Sequence, residues 1–216
     1  MEQRAEVLEA GFRQACEDVG IKEEDRLTIE SLLAPLRNKN AVTHAHYLHS
    51  LRVSLIARAI GKHTHHEEKP LLFAGALHDI GKALTPVEVM GKTGPWTEAD
   101  QRVMQQHVMD SYRLLRGRFD FTAEIILWHH RFQEHGYPRV LPKPLREYSE
   151  PTKLLVVEYG RLLALADVYD ALHRPNSKFK EGHGLSDEEV KEQMFALNPD
   201  KKKLVASLYE AGVFAV

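Results

Sequence analysis

Five stretches of this chain set a histidine or an aspartate in helical register with apolar residues, and this pattern constrains the fold more than any other feature. His49 shares a helical face with Val53, Ile56 and Ile60, at offsets of four, seven and eleven. His107 shares one with Val103, Met104 and Leu114. His129 follows Ile126 and Ile125 by three and four residues, and Asp167 lies four from both Leu163 and Ala171. His78 and Asp79 close the apolar run LLFAGAL, Leu71 to Leu77. A buried imidazole or carboxylate is costly unless it is paired, hydrogen-bonded or bound to a metal. Any one of these residues alone reads as a satisfied core group. Together they point to a shared cation, which satisfies every such group at once.

The donor types narrow the choice of metal. Histidine nitrogens and carboxylate oxygens without a thiolate suit Fe, Mn, Zn or Co better than Ca or Mg. Two aspartates and at least four histidines exceed the three or four ligands of one catalytic ion. Two ions bridged by a carboxylate are the natural arrangement, and such sites suit phosphate-ester hydrolysis.

The rest of the chain reads as helical. Strand-like alternation with tight hairpin signals is absent, while 3.6-residue periodicity recurs. Two helices broken near Gly20 reach about Pro35, and a third runs from about Thr43 to Ile60 with Gly61 as its C-cap. Another covers Lys69 to about Asp79. Thr97-Glu98-Ala99-Asp100 is a capping-box-like start for a helix to about Arg116. A helix from Thr122 is expected to run into His129-His130. A Pro-rich loop follows, then a long apolar helix from about Thr152 to Leu172, and Ser186 and Asn198-Pro199-Asp200 open the last two. The expected architecture is all-α: an N-terminal helical extension, residues 1–40, and one helical-bundle domain, residues 41–216.

A net charge of -2 leaves no footprint for duplex nucleic acid. The single cysteine, Cys16, excludes an internal disulfide framework and reads as a small buried hydrophobe. A charged N-terminus and short apolar runs predict a cytoplasmic protein with no membrane anchor.

LHDIGK, Leu77 to Lys82, resembles the signature of the HD phosphohydrolase superfamily. HSLRV (His49 to Val53), that hexapeptide, the stretch Val87 to His107, WHHRFQEHGYP (Trp128 to Pro138) and ADVYDAL (Ala166 to Leu172) occur in order. Together they resemble the HD-GYP family, which hydrolyses cyclic di-GMP, over about Thr43 to Lys180. The resemblance implies an HD-domain bundle with His49, His78, Asp79, His107, His129, His130 and Asp167 as metal ligands, Asp79 bridging two divalent ions. Fe or Mn is the expected metal, with Zn, Co or Ni open. Hydrolysis by a metal-activated hydroxide is the implied chemistry. Lys82 would contact the scissile phosphate, Tyr137 would sit against the nucleotide, and Arg174 and Lys178 loosely match a basic pair that grips phosphate. His130 enters only through the resemblance.

The chain also departs from the family. Arg131 stands where a glutamate is usual, and the segment before Gly136-Tyr137-Pro138 is one residue shorter. Ala45 takes the place of a glutamate that in some members serves a third metal, with His46 nearby. Asp170, one turn from Asp167, reads either as a proton donor to the leaving oxygen or as a helix-surface or capping partner. His63, His65 and His66 read as a solvated turn. Three readings follow: a cyclic dinucleotide phosphodiesterase, an HD phosphohydrolase for another nucleotide or phosphomonoester, or a non-catalytic signalling module of the same fold. A homodimer or a signalling-protein partner is compatible with each.

Overall fold

The structure, a computed structural model, describes residues 2–38, 40–173 and 185–214. Among the described residues there is no strand. Helices α1 (Glu2–Asp18) and α2 (Glu23–Leu33) are separated by a turn in which Gly20 has a φ of +65°. Phe12, Ala15 and Cys16 from α1 and Ile29 and Leu33 from α2 join one hydrophobic core with Tyr47 and Leu51. The buried Cys16 thiol is pushed up to about 11, chiefly by desolvation, as expected of a hydrophobe rather than a reactive group.

Helix α3 (Ala41–His63) begins at Asn40, whose side chain accepts from the amides of Val42 and Thr43. It packs on α4 (Glu68–Leu77), in which every residue from Leu71 to Leu77 is buried. The chain then tightens into a 3-10 helix, Ile80–Leu84, followed by the short α5 (Val87–Met90). Gly81 is needed here because a Cβ would lie 2.1 Å from the carbonyl oxygen of His107. Its amide donates to Ser111 Oγ at 2.8 Å, which locks the turn to α6 (Glu98–Leu115). The capping box expected at Thr97 is present, with Asp100 as its second half. Helices α7 (Asp120–Ile126), α8 (Glu150–His173), α9 (Asp187–Leu197) and α10 (Lys202–Glu210) complete the bundle. Ser186 and Glu189 form a second capping box at α9.

Three details differ from the expectations. Gly61 is not a C-cap: α3 runs through it to His63, because Leu71 of α4 packs against that position. The inward face of α6 comprises His107, Val108, Ser111, Tyr112 and Leu115, while Val103 and Leu114 are 39% and 44% exposed. The packing partners of α6 thus rotate it about one position from its apolar pattern. Finally, α7 ends at Ile126, so His129 and His130 lie on successive turns rather than on a helix.

Candidate metal centre

Six side chains reach one buried point from five places in the fold. His49 comes from the middle of α3, and His78 and Asp79 from the break after α4. His107 comes from α6, His129 from the turn after α7, and Asp167 from α8. All six are buried. Asp79 Oδ1 lies 3.1 Å from His107 Nε2, and Asp79 Oδ2 lies 3.3 Å from His78 Nε2 and 3.6 Å from His49 Nε2. Asp167 Oδ1 approaches His49 Nε2 at 3.1 Å and His78 Nε2 at 3.7 Å.

The opposite ring nitrogens are already engaged. Nδ1 of His78 reaches the carbonyl of Gly75 at 2.8 Å, that of His107 reaches Met104 at 2.5 Å, and that of His129 reaches Ile126 at 2.6 Å. A carbonyl can only accept, so each Nδ1 carries a hydrogen, and whenever such a ring is neutral its lone pair lies on the inward Nε2. His49 is set the same way, with Nδ1 2.7 Å from Asp170 Oδ2. Nε2 of His78 and Nε2 of His49 lie 3.3 Å apart, within hydrogen-bond reach of each other. Nε2 of His107, Nε2 of His129 and Asp79 Oδ1 have no hydrogen-bond partner despite full burial, and the 3.1 Å approach of His107 to Asp79 lacks hydrogen-bond geometry. Acceptors facing acceptors in a dry interior need a cation between them. The residues therefore fit a metal.

Electrostatics agree. Burial would raise the Asp79 carboxyl, but His78, Lys82 and His107 outweigh it and hold it well below its ordinary value. Asp167 behaves likewise, with His49 and His78 overcoming its burial. Burial opposes a charge on His78, yet Asp79 and Asp167 push its pKa up to about 10. Two ionised carboxylates thus demand positive charge at this spot. His129, by contrast, falls to about 3 through burial and the neighbouring His78, and burial also drives His130 well below its ordinary value.

The donors sort into overlapping nests. Asp79, His107, His129 and His130 form one, His49, His78 and Asp79 another, and His78, His129 and Asp167 a third, each with its ligand atoms within 4.8 Å of one another. Asp79 belongs to two of them. His130, expected only by resemblance, joins the cluster with its ring 5.3 Å from His107. Lys82 Nζ sits 2.5 Å from Asp79 Oδ2 and 3.5 Å from His46 Nδ1.

Tyr137 stacks on His130 at 4.6 Å and 27°, and meets His107 edge-on at 6.1 Å. Its peptide bond to Pro138 is cis. Burial raises the Tyr137 hydroxyl well above its ordinary value, which keeps it protonated. Arg174 and Lys178 lie outside the described residues.

Asp170 is not a surface residue. It is buried, accepts from His49, and takes Nε and Nη2 of Arg52 at 2.5 and 3.1 Å. Burial is outweighed by His49 and Arg52, so the carboxyl is held far below its ordinary value. Arg52 was not singled out from the sequence, although its place three residues after His49, one turn further along the same helix, is a signal that could have found it. Among the remaining histidines, His65 is exposed, whereas His63 is half-buried and 3.0 Å from Ser207 Oγ, so that turn is not fully solvated.

A helical bundle with histidines and aspartates meeting at the turn after α4 defines a class, and the chain belongs to it: the HD domain family, whose model matches residues 47–172. Among curated proteins the chain is similar to the cyclic di-GMP phosphodiesterase response regulator RpfG of Xanthomonas campestris pv. campestris, with 33% identity over 178 residues, 80% of this chain and 44% of the relative. It is also similar to a cyclic di-GMP phosphodiesterase of Thermotoga maritima, 35% identical over 105 residues, 46% of this chain and 26% of the relative. The 3'3'-cGAMP-specific phosphodiesterase 1 of Vibrio cholerae is 28% identical over 156 residues, 69% of this chain and 33% of the relative. The chain spans less than half the length of each of these relatives. The HD domain of the L. monocytogenes phosphodiesterase PgpH shares the fold, with a TM-score of 0.54 at 16% identity, covering 83% of this chain and 98% of that one. Among the described residues no helix is long and apolar enough to cross a membrane.

Proposed function

We propose that the chain is a metal-dependent phosphodiesterase of cyclic dinucleotides, cyclic di-GMP foremost, working in the cytoplasm with two divalent ions that share Asp79. The observation that carries this reading is the set of unpartnered buried acceptors, His107 Nε2, His129 Nε2 and Asp79 Oδ1, at the centre of two nests with Asp79 in common. The relatives' names supply the substrate class. Bound there, two cations would acidify a water and neutralise the phosphate oxygens. His49, His78 and Asp167 would serve one ion, and His107, His129 and His130 the other. Fe or Mn suits this donor set, ahead of Zn, Co or Ni.

The chain's own residues supply the rest. Lys82 holds an ammonium beside Asp79, where negative charge on the phosphoryl group would build up. Tyr137, stacked on His130, would lie against a base of the substrate. By the resemblance, Arg174 and Lys178, which follow α8 in the sequence, would contact phosphate. Asp170, engaged by His49 and Arg52, orients a ligand and releases no proton. Residues 1–40 would be an N-terminal extension whose helices α1 and α2 add Phe12, Ala15, Cys16, Ile29 and Leu33 to the core.

A second reading, hydrolysis of another nucleotide or a phosphomonoester, is favoured by Arg131 and the shortened loop. Anaerobic purification with metal quantitation, followed by a panel of cyclic di-GMP, 3'3'-cGAMP and mononucleotides, separates the two. Turnover of cyclic dinucleotides with two metals per chain is expected. Turnover of mononucleotides alone would favour the second reading, and full activity with less than one metal per chain would overturn the shared-Asp79 scheme.

A further inference from the structure

We propose that Arg131 is a positioning residue: it clamps the turn from Gly136 to Arg139 and so holds the Tyr137 ring over the histidine cluster, ready for a base of the substrate. This rests on the cyclic dinucleotide reading above.

The turn is gripped from two sides. On one side it packs against the Arg131 backbone, since a Cβ on Gly136 would fall 2.4 Å from the Arg131 carbonyl oxygen. The Gly136 amide also donates to Gln133 O at 2.9 Å. On the other side the Arg131 side chain reaches round the turn, and Nη1 donates to the carbonyl of Pro138 and, at 3.3 Å, to that of Arg139. Its guanidinium rests 5.0 Å from the Trp128 ring centroid. No carboxylate lies within ion-pair distance of it among the described residues, so its hydrogens are available to these carbonyls. Between the two grips sits Tyr137, stacked on His130.

A glutamate at position 131 could not do this. An ionised carboxylate has no hydrogen to give, and both targets are carbonyl oxygens that only accept. Arginine supplies a rigid fork of donors, and a hydrogen bond from a charged donor is about twice as strong as a neutral one. The shortened loop is therefore fastened by side chain to backbone. The Arg131 side chain is engaged by the carbonyls of Pro138 and Arg139 and by the Trp128 ring. Its effect falls on how substrate is received rather than on the bond-breaking step.

Hydrogen exchange on the full chain, comparing wild type with Arg131→Met and Arg131→Lys, tests the clamp without any assay of turnover. Arg131→Met should speed exchange across residues 133–139 about tenfold or more, while the segments around His78 and His107 stay as in wild type. Arg131→Lys, which keeps a donor without the fork, should fall between them. With metal content matched to wild type, KM for cyclic di-GMP should rise about tenfold in Arg131→Met and kcat should change less than about threefold. Unchanged exchange in the turn overturns the clamp. Faster exchange with an unchanged KM, or with loss of metal, overturns its role in receiving the base. A wild-type protein that turns over no cyclic dinucleotide removes the functional reading on its own, and the exchange result then decides the clamp.

Discussion

The carboxylate of Asp170 accepts Nδ1–H of His49 at 2.7 Å while Arg52 grips both of its oxygens. With Arg52 keeping that carboxylate ionised, His49 can only donate from Nδ1, which turns its Nε2 lone pair toward Asp79 and Asp167. A salt bridge between α3 and α8 thereby sets the tautomer of a metal-facing ring.

Asp170→Asn tests that relay. The amide keeps the shape but weakens the acceptor, and outer partners of this kind are worth about 10–100-fold in metal affinity. Titration of the apo protein with Mn, read by calorimetry, should show that loss with helicity unchanged by circular dichroism.

Asp79→Ala removes the carboxylate common to two nests. Metal content should fall below one ion per chain and hydrolysis should disappear, with most helicity retained. In wild type, adding metal to about 1,000 times its dissociation constant should stabilise the fold by about 4 kcal/mol, visible as a rise in thermal midpoint. The variant should show little of that rise.

Lys82→Met removes the ammonium beside Asp79 but none of the nest donors. A loss of about 10²–10³ in kcat is expected if the charge meets the developing oxyanion. Metal content measured on the same sample should stay near that of wild type.

The metal-free protein should lose stability as pH falls below neutrality, for a reason located in two rings. His129 titrates at about 3 in the fold against an ordinary 6.5, chiefly because it is buried, and His130 shifts the same way. Between those values the unfolded chain holds the extra protons, so acid favours unfolding through that window. His78 is raised to about 10, so its contribution is fully present below 6.5 and is lost only as pH rises toward 10. Asp79 and Asp167 are lowered, and their contributions fade only in stronger acid. His129→Gln should flatten the fall in thermal midpoint between about pH 6.5 and 4.5 by roughly half.

Gly81→Ala probes the packing of the turn. A methyl group would meet the backbone carbonyl of His107 at 2.1 Å, so the turn must withdraw from α6. Overpacking of this kind costs about 1–3 kcal/mol. Thermal denaturation should register it, together with weaker metal binding, because Asp79 and His107 move apart.

Much of this was legible in the chain. The all-helical reading, the capping box at Thr97, the helix opening at Ser186 and the inward placement of His49 and Asp167 all follow from local patterns. The same local logic failed at Gly61, where a glycine serves helix contact instead of a helix end. It failed again on α6, where the buried face is set by what the helix meets rather than by its own apolar residues.

Periodicity and capping act over a few residues, so they fix where most helices start and which polar groups share an apolar face. Which of those groups meet is settled by packing. Asp170 and Arg52 are 118 positions apart in the chain, and nothing local to either names the other. His129 and His130 point into the centre through turns whose direction depends on packing against α8, where Gly160 lies against Trp128. The inward lone pairs likewise depend on where each opposite nitrogen finds its acceptor: a carbonyl three residues back for His78, His107 and His129, and a distant carboxylate for His49. Local hydrogen bonds and periodicity act along the chain, whereas convergence on a shared point is created only when the helices pack.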